Sequence, residues 1–202
     1  MKIFPLFLLF ISVAVWAADL TLDSSIKNGN SVEFLKFSGS GPFDSYLAMN
    51  LPFSPVKELY QKIQAVDGVS LKSRGEAHIT VVTPVEYWSI LKPHNITIEQ
   101  INQIADLMKI QNSKFDPLCV GRGSVILSGK EENTYFIVVQ SNDLVNIRRE
   151  IQALLVQKGG GATEFNPENF YPHITIGFTR RDLHESDGII KNTRLCVHSL
   201  IQ

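Results

Sequence analysis

The sequence has no surplus of either charge. Its 19 Lys and Arg face 20 Asp and Glu, a formal net charge of −1, which argues against a broad electrostatic footprint for long nucleic acid. Phosphate recognition, if present, has to be local. The longest apolar run, Ile3 to Ala18 with only Pro5 and Ser12 interrupting it, is shorter than the roughly 20 residues that span a bilayer. Gly159-Gly160-Gly161 lacks the Lys-Ser/Thr ending of a phosphate-binding loop, so it reads as a flexible connection or lid. Carboxylates and cysteines at metal-ligand spacing are also missing, so no metal and no cofactor is expected.

What is present describes a globular chain. Apolar residues make up 44% and charged residues 19% of 202 positions, a balance that excludes disordered and fibrous classes and suits one large domain. Lys2 is the only charge before Asp19, and the apolar run ends in small residues. Residues 1–17 therefore read as an export signal cut after Ala17, followed by an N-terminal extension over 18–44. Removing one basic residue and no acid takes the formal charge from −1 to −2. The expected mature protein is secreted or periplasmic, monomeric and without a stable membrane anchor. In such a compartment Cys119 and Cys196 can form one bridge. Each also sits in an apolar stretch where a buried free thiol fits equally well, and spacing alone does not choose.

Beyond residue 45 the order of elements occurs twice. Tyr46 to Leu51 reads as a strand, and Ser54-Pro55 supplies a cap and a proline for a helix with Val56, Leu59, Ile63 and Val66 on one face and Gly68 at its end. Ala77 to Val82 is then a strand. In the second half Tyr135 to Gln140 is a strand, and Asn142 or Asp143 caps a helix carrying Leu144, Ile147, Ile151 and Leu154. Pro172 to Phe178 is again a strand. Between the halves lies a helix from Ile98 to Ile110, and Val120 to Leu127 and Thr193 to Leu200 are further strands, with a bulge expected at Gly121 or Gly123. Two strand, helix, strand halves, about 45–112 and 113–202, point to a pseudo-twofold α+β domain.

Each half carries one copy of a His-apolar-Thr-apolar tetrad, His78-Ile79-Thr80-Val81 and His173-Ile174-Thr175-Ile176. Strand alternation puts His and Thr on one face and the aliphatic residues on the other. A single tetrad is an ordinary strand with a structural histidine; two copies, each after an equivalent helix, ask for a joint function. With imidazole pKa values near 6.5, one ring can accept a proton while the other donates one. Phosphate-ester cleavage needs both, on opposite sides of phosphorus, and the Thr hydroxyls can hold the non-bridging oxygens.

At these residues the chain resembles the 2H phosphoesterase superfamily, which includes 2'-5' RNA ligase-like proteins and 2',3'-cyclic nucleotide phosphodiesterases, over roughly Ser45 to Gln202. The resemblance implies a bilobal α+β fold with antiparallel sheets lining a central groove and helices outside. It also implies His78 and His173 as the catalytic pair, with Thr80 and Thr175 as phosphate ligands. The first-motif histidine would act as acid and the second would activate water. Glu76 and the continuation Thr83-Pro84-Val85-Glu86 are similar to the Swiss Army Knife RNA repair-like branch. Many relatives carry an Arg soon after the second motif, whereas here Gly177-Phe178-Thr179 precede Arg180 and Arg181.

Other candidates have weaker patterns. Arg180 can contact a phosphate or simply be solvated, and Tyr171, with Phe170, can stack on a base or pack in the core. His94, His184 and His198 have no motif partner and read as surface or strand histidines. The expected substrate is a small nucleotide or an RNA terminus, cleaved without metal. A rival reading is an exported nucleotide- or oligonucleotide-binding protein that uses the same four residues without catalysis. A second rival, with the histidines as metal ligands, lacks the partner residues.

Overall fold

A computed structural model describes residues 19–202; the expected export segment, 1–17, lies outside them. In chain order the elements are β1 (Asp19–Thr21), β2 (Leu47–Leu51), α1 (Phe53–Asp67), β3 (Ala77–Val82), the single turn α2 (Pro84–Glu86), α3 (Ile98–Leu107), β4 (Asp116–Leu127), β5 (Lys130–Gln140), α4 (Asn142–Gln157), β6 (His173–Phe178) and β7 (Cys196–Ile201). The fold is mixed α+β. One sheet has the order β1-β7-β4-β5-β6, and β2 pairs with β3 in a second. All pairings are antiparallel except β1 on β7. The order expected from the sequence appears as β2-α1-β3 and β5-α4-β6, although the first sheet is larger and draws β1 from the segment before residue 45. Among the described residues no helix is long and apolar enough to cross a membrane.

Local chemistry explains where the helices begin and end. α1 begins at Phe53, ahead of the expected Ser54 cap, because Pro52 takes the extended cap position (φ −57°, ψ 128°) and leaves Ser54 inside the first turn. Its end at Gly68 has the left-handed backbone (φ 62°) that glycine adopts without strain. For α4 the cap is Ser141, whose Oγ accepts from Leu144 N at 3.2 Å. Asn142 is already helical, and Asp143 accepts from Lys114 N at 2.8 Å. The buried apolar positions of α4 are Leu144, Ile147, Ile151 and Leu155, with Leu155 replacing the expected Leu154. Three turns of 3.6 residues advance 10.8 positions, so the fourth contact falls at offset 11. For the same reason Val66 points outward, 50% exposed.

One hydrophobic core runs from Leu20 to Ile176 and joins both sheets and the helices. β5 shows how it is divided: Tyr135, Ile137 and Val139 face this core, while Phe136 and Val138 face away and pack with Cys119 and Leu195. Cys119 and Cys196 are bonded within that second cluster, with Cα atoms 5.8 Å apart. The expected bulge lies between Val120 and Gly121 in the β4–β7 pairing. Gly121 is needed there because a Cβ would strike the Phe136 ring.

Two polar clamps fix the frame. The Gln111 side chain donates to the carbonyls of Gly29, Val32 and Asn50 and accepts from Asn50 N, at 2.9–3.0 Å, which holds the N-terminal segment to β2. Arg148, 1% exposed, forms a two-pronged pair with Glu86 (2.7 and 3.2 Å) and donates to the carbonyls of Val81, Asn166, Pro167 and Asn169. Glu86 is itself held in a capping box with Thr83. The Thr83-Pro84-Val85-Glu86 stretch therefore ties the end of β3 to α4 and to the loop entering β6.

Candidate active site

The two tetrads occupy β3 and β6, and their burial alternates as strand geometry requires. Ile79, Val81, Ile174 and Ile176 are buried, while His78, Thr80, His173 and Thr175 are half-buried on the other face. β6 is the edge of the larger sheet, and β3 lies against it without pairing to it. Just beyond the motif, Lys72 and Phe178 exchange backbone hydrogen bonds at 2.7 and 3.0 Å and tie the connection between α1 and β3 to the end of β6. His78 and His173 thus stand on neighbouring strands, and the charge of His78 is a minor influence on His173.

Their surroundings differ in kind. His173 Nδ1 lies 2.8 Å from the carbonyl of Tyr171; a carbonyl only accepts, so Nδ1 carries the proton and Nε2 keeps its lone pair. Lys191 Nζ sits 3.2 Å from that Nε2. Burial and the Lys191 charge together depress the pKa of His173 to about 3, so the free ring is neutral at physiological pH. His78 is also depressed by burial, but the Glu76 carboxylate, 3.6 Å from Nδ1, works in the opposite direction. Its Nδ1 is buried without a hydrogen-bond partner. Phe37 and Tyr46, stacked 4.3 Å apart, flank His78 at 6.2 and 6.0 Å. Burial and Glu76 push the Tyr46 phenol up to about 12.

Between the histidines lies a polar centre that no sequence motif announced. Asp182, buried, accepts from Lys191 Nζ (2.7 Å), Thr134 Oγ1 (2.8 Å), Thr175 Oγ1 (3.1 Å) and Arg74 Nη2 (3.3 Å). Burial, the largest single influence, would raise its pKa, but the charge and hydrogen bond of Lys191, the nearby His184 and the Thr134 hydroxyl together outweigh it and hold the carboxyl at about 2. Asp182 and Lys191 belong to the loop between β6 and β7, where neither periodicity nor a repeated pattern marks them. Thr175, expected to face a phosphate, thus spends its hydroxyl proton on Asp182. Thr80 has no hydrogen-bond partner among the described residues.

The secondary candidates separate clearly. Arg180 is exposed and forms no ion pair among the described residues, whereas Arg181 grips Asp187 at 2.6 and 2.8 Å. Tyr171 keeps its ring 36% exposed and contributes its carbonyl to His173, while Phe170 packs under the Arg148 guanidinium, 4.8 Å from its ring centre. His184 stands beside Asp182, its pKa lowered by burial. His94 pairs with Glu164 at 2.9 Å. His198 lies 2.9 Å from Asp67 Oδ1 without the alignment of a hydrogen bond. A cleft of about 290 Å³ is lined among others by Val138, Tyr171, Pro172, Lys191, Asn192 and Thr193, and by none of His78, Thr80, His173 and Thr175.

Comparison with protein families gives one match: a model described as Swiss Army Knife, 2H phosphoesterase domain, covers residues 45–184. No curated protein and no solved structure matches the chain.

Proposed function

This chain belongs to the 2H phosphoesterases of the Swiss Army Knife type, and from that membership we propose a metal-independent phosphodiesterase acting on a 2',3'-cyclic phosphate or a related RNA-end phosphoester. The observation that carries this reading is the unequal environment of two adjacent imidazoles. His173 has its Nδ1 proton committed to the Tyr171 carbonyl, which leaves an unprotonated Nε2, met in the free protein by Lys191 Nζ at 3.2 Å, to act as a general base once that contact gives way to water. His78, lowered by burial in the free protein, has a carboxylate at 3.6 Å that works to restore its protonated form, the form a general acid needs. A bound phosphate anion adds to that stabilisation, so substrate itself favours the charged His78.

In the proposed step, water attacks phosphorus as His173 Nε2 takes its proton. The bond to one ribose oxygen breaks, and His78 delivers a proton to that oxygen. The product is a phosphomonoester with a free hydroxyl, and the two rings return to their starting states by exchange with solvent. Thr80, which has an uncommitted hydroxyl, faces a non-bridging oxygen across the groove between the halves. Residues 1–17 direct export, and the Cys119–Cys196 bond suits the oxidising compartment that follows. A formal charge of −2 after processing favours a single phosphate over a long strand.

The test is a panel of 2',3'-cyclic nucleotides, cyclic-phosphate RNA ends and 2'-5'-linked oligonucleotides, assayed with and without EDTA on wild type, His78→Ala and His173→Ala. Turnover should survive EDTA and fall by at least about 100-fold in each folded variant. Loss of turnover on chelation alone overturns the mechanism. Nucleotide binding without turnover supports the binding-protein alternative.

A further inference from the structure

Lys191 is 3% exposed, a costly place for an ammonium group, since desolvation penalties run to several kcal/mol per ion. Its ammonium group makes two hydrogen bonds, one to Asp182 and one to His173 Nε2, and lies 5.7 Å from the centre of the Phe136 ring. An ammonium group has three N–H donors, so one remains for a ligand. The contact to His173 is unfavourable for a resting base, because the cation competes with the proton the ring must take up. Both features become useful if an anion arrives between Lys191 and His173. The cation then neutralises charge on phosphorus, and the water that occupies the Nε2 position replaces the ammonium contact.

On this basis, and resting on the phosphodiesterase reading, we propose that Lys191 is the catalytic cation of the site, contacting a non-bridging phosphate oxygen, and that Asp182 is its positioning residue. The family match ends at residue 184, so Lys191 lies outside the matched span. Asp182 acts through the hydrogen bonds already described: it fixes Nζ and also gathers Thr134, Thr175 and Arg74 around one carboxylate. Lys191 also lines the cleft beside Tyr171. A phosphate seated on Nζ therefore has its nucleoside portion directed towards Tyr171, Asn192 and Thr193.

The charged groups that act on His173 are Lys191 and Asp182 from the β6–β7 loop and His78 on β3; Arg74 and His184 in turn surround Asp182, and Glu76 stands beside His78. The Tyr171 carbonyl contacts the ring from its own strand entry. Replacing Lys191 by Met removes the cation that contacts Nε2 and leaves the rest.

The experiment compares wild type, Lys191→Met, Lys191→Arg and the charge-balanced Asp182→Asn/Lys191→Met variant, each checked for folding by circular dichroism, with 2',3'-cyclic AMP as substrate. Lys191→Met should lower kcat by about 100-fold or more, the scale for one lost transition-state donor. The acid limb of its kcat/KM profile should move up by at least about one pH unit, because the base is no longer held down by a neighbouring cation. Lys191→Arg should recover part of kcat. A change within about threefold together with an unmoved acid limb overturns the proposal. If Lys191→Met fails to fold, the double variant is judged by the same two readouts. If wild type turns over no cyclic nucleotide, the phosphodiesterase reading falls, and calorimetric titration with inorganic phosphate and 2'-AMP decides for Lys191 alone. At least tenfold weaker binding by Lys191→Met supports the assignment; equal binding, or none by wild type, overturns it.

Discussion

Replacing both cysteines, Cys119→Ala with Cys196→Ala, should cost the protein a large part of its stability. The two residues are 77 positions apart, and opening a loop of that length returns about 15 cal/mol/K of chain entropy to the unfolded state, or about 4.5 kcal/mol at 25 °C. Domains of this size are stable by roughly 5–15 kcal/mol. The packing around the bond, Cys119 with Phe136, Val138 and Leu195, is too small a cluster to make up the difference. Urea unfolding followed by tryptophan fluorescence, with wild type run in parallel under non-reducing conditions, measures the change directly. A loss of about 3–5 kcal/mol is expected; a loss below about 1 kcal/mol refutes the argument. The same variant tests the link to the site. Cys196 is where the loop carrying Asp182 and Lys191 returns to the sheet, and Phe136 packs edge-on to His173 at 6.0 Å. Turnover measured well below the unfolding midpoint should therefore fall along with stability.

Arg148→Met should destabilise the fold by about 3–5 kcal/mol, because Glu86 is left without its partner and four backbone carbonyls lose their donor; equilibrium unfolding showing less than about 1 kcal/mol would contradict the clamp. Acid should weaken the protein in a defined window. His173, depressed to about 3, stays neutral in the fold while the unfolded chain takes up protons below about pH 6.5, so stability falls from there towards pH 3, with a slope of about 1.4 kcal/mol per pH unit for this imidazole. His78, also lowered by burial, acts in the same direction. Asp182, held at about 2, adds a further loss between about pH 4 and 2. Denaturant midpoints measured from pH 7.5 to 4.5 should decline; a flat profile excludes buried neutral rings.

The sequence was most legible where one physical rule acted alone. β3 and β6 were visible because both tetrads alternate, and the ends of α1 and α4 because glycine follows them. Ser54 was misread as a cap because the proline two residues before it had already set the extended backbone. Leu154 and Leu155 differ by one step of a 3.6-residue period, which a pattern of four apolar positions does not resolve. β1 spans three residues and finds its partner at the far end of the chain, so no local signal marks it. The site shows the same division. His78, Thr80, His173 and Thr175 stood out by repetition, whereas Asp182 and Lys191 are identified only by what surrounds them. The open choice for the cysteines closed only when β4 and β7 were seen to be neighbours.

The pairing of β1 with β7 governs the order of folding. Asp19 meets Ser199 and Thr21 meets Ile201, so the first described strand takes its place only after the last strand has been made. While the chain is being synthesised, β1 has nowhere to dock, and the sheet lacks both β7 and the bond to Cys196. A pairing with such long sequence separation closes slowly. It also leaves the N-terminal strand as the last piece added at the sheet's edge.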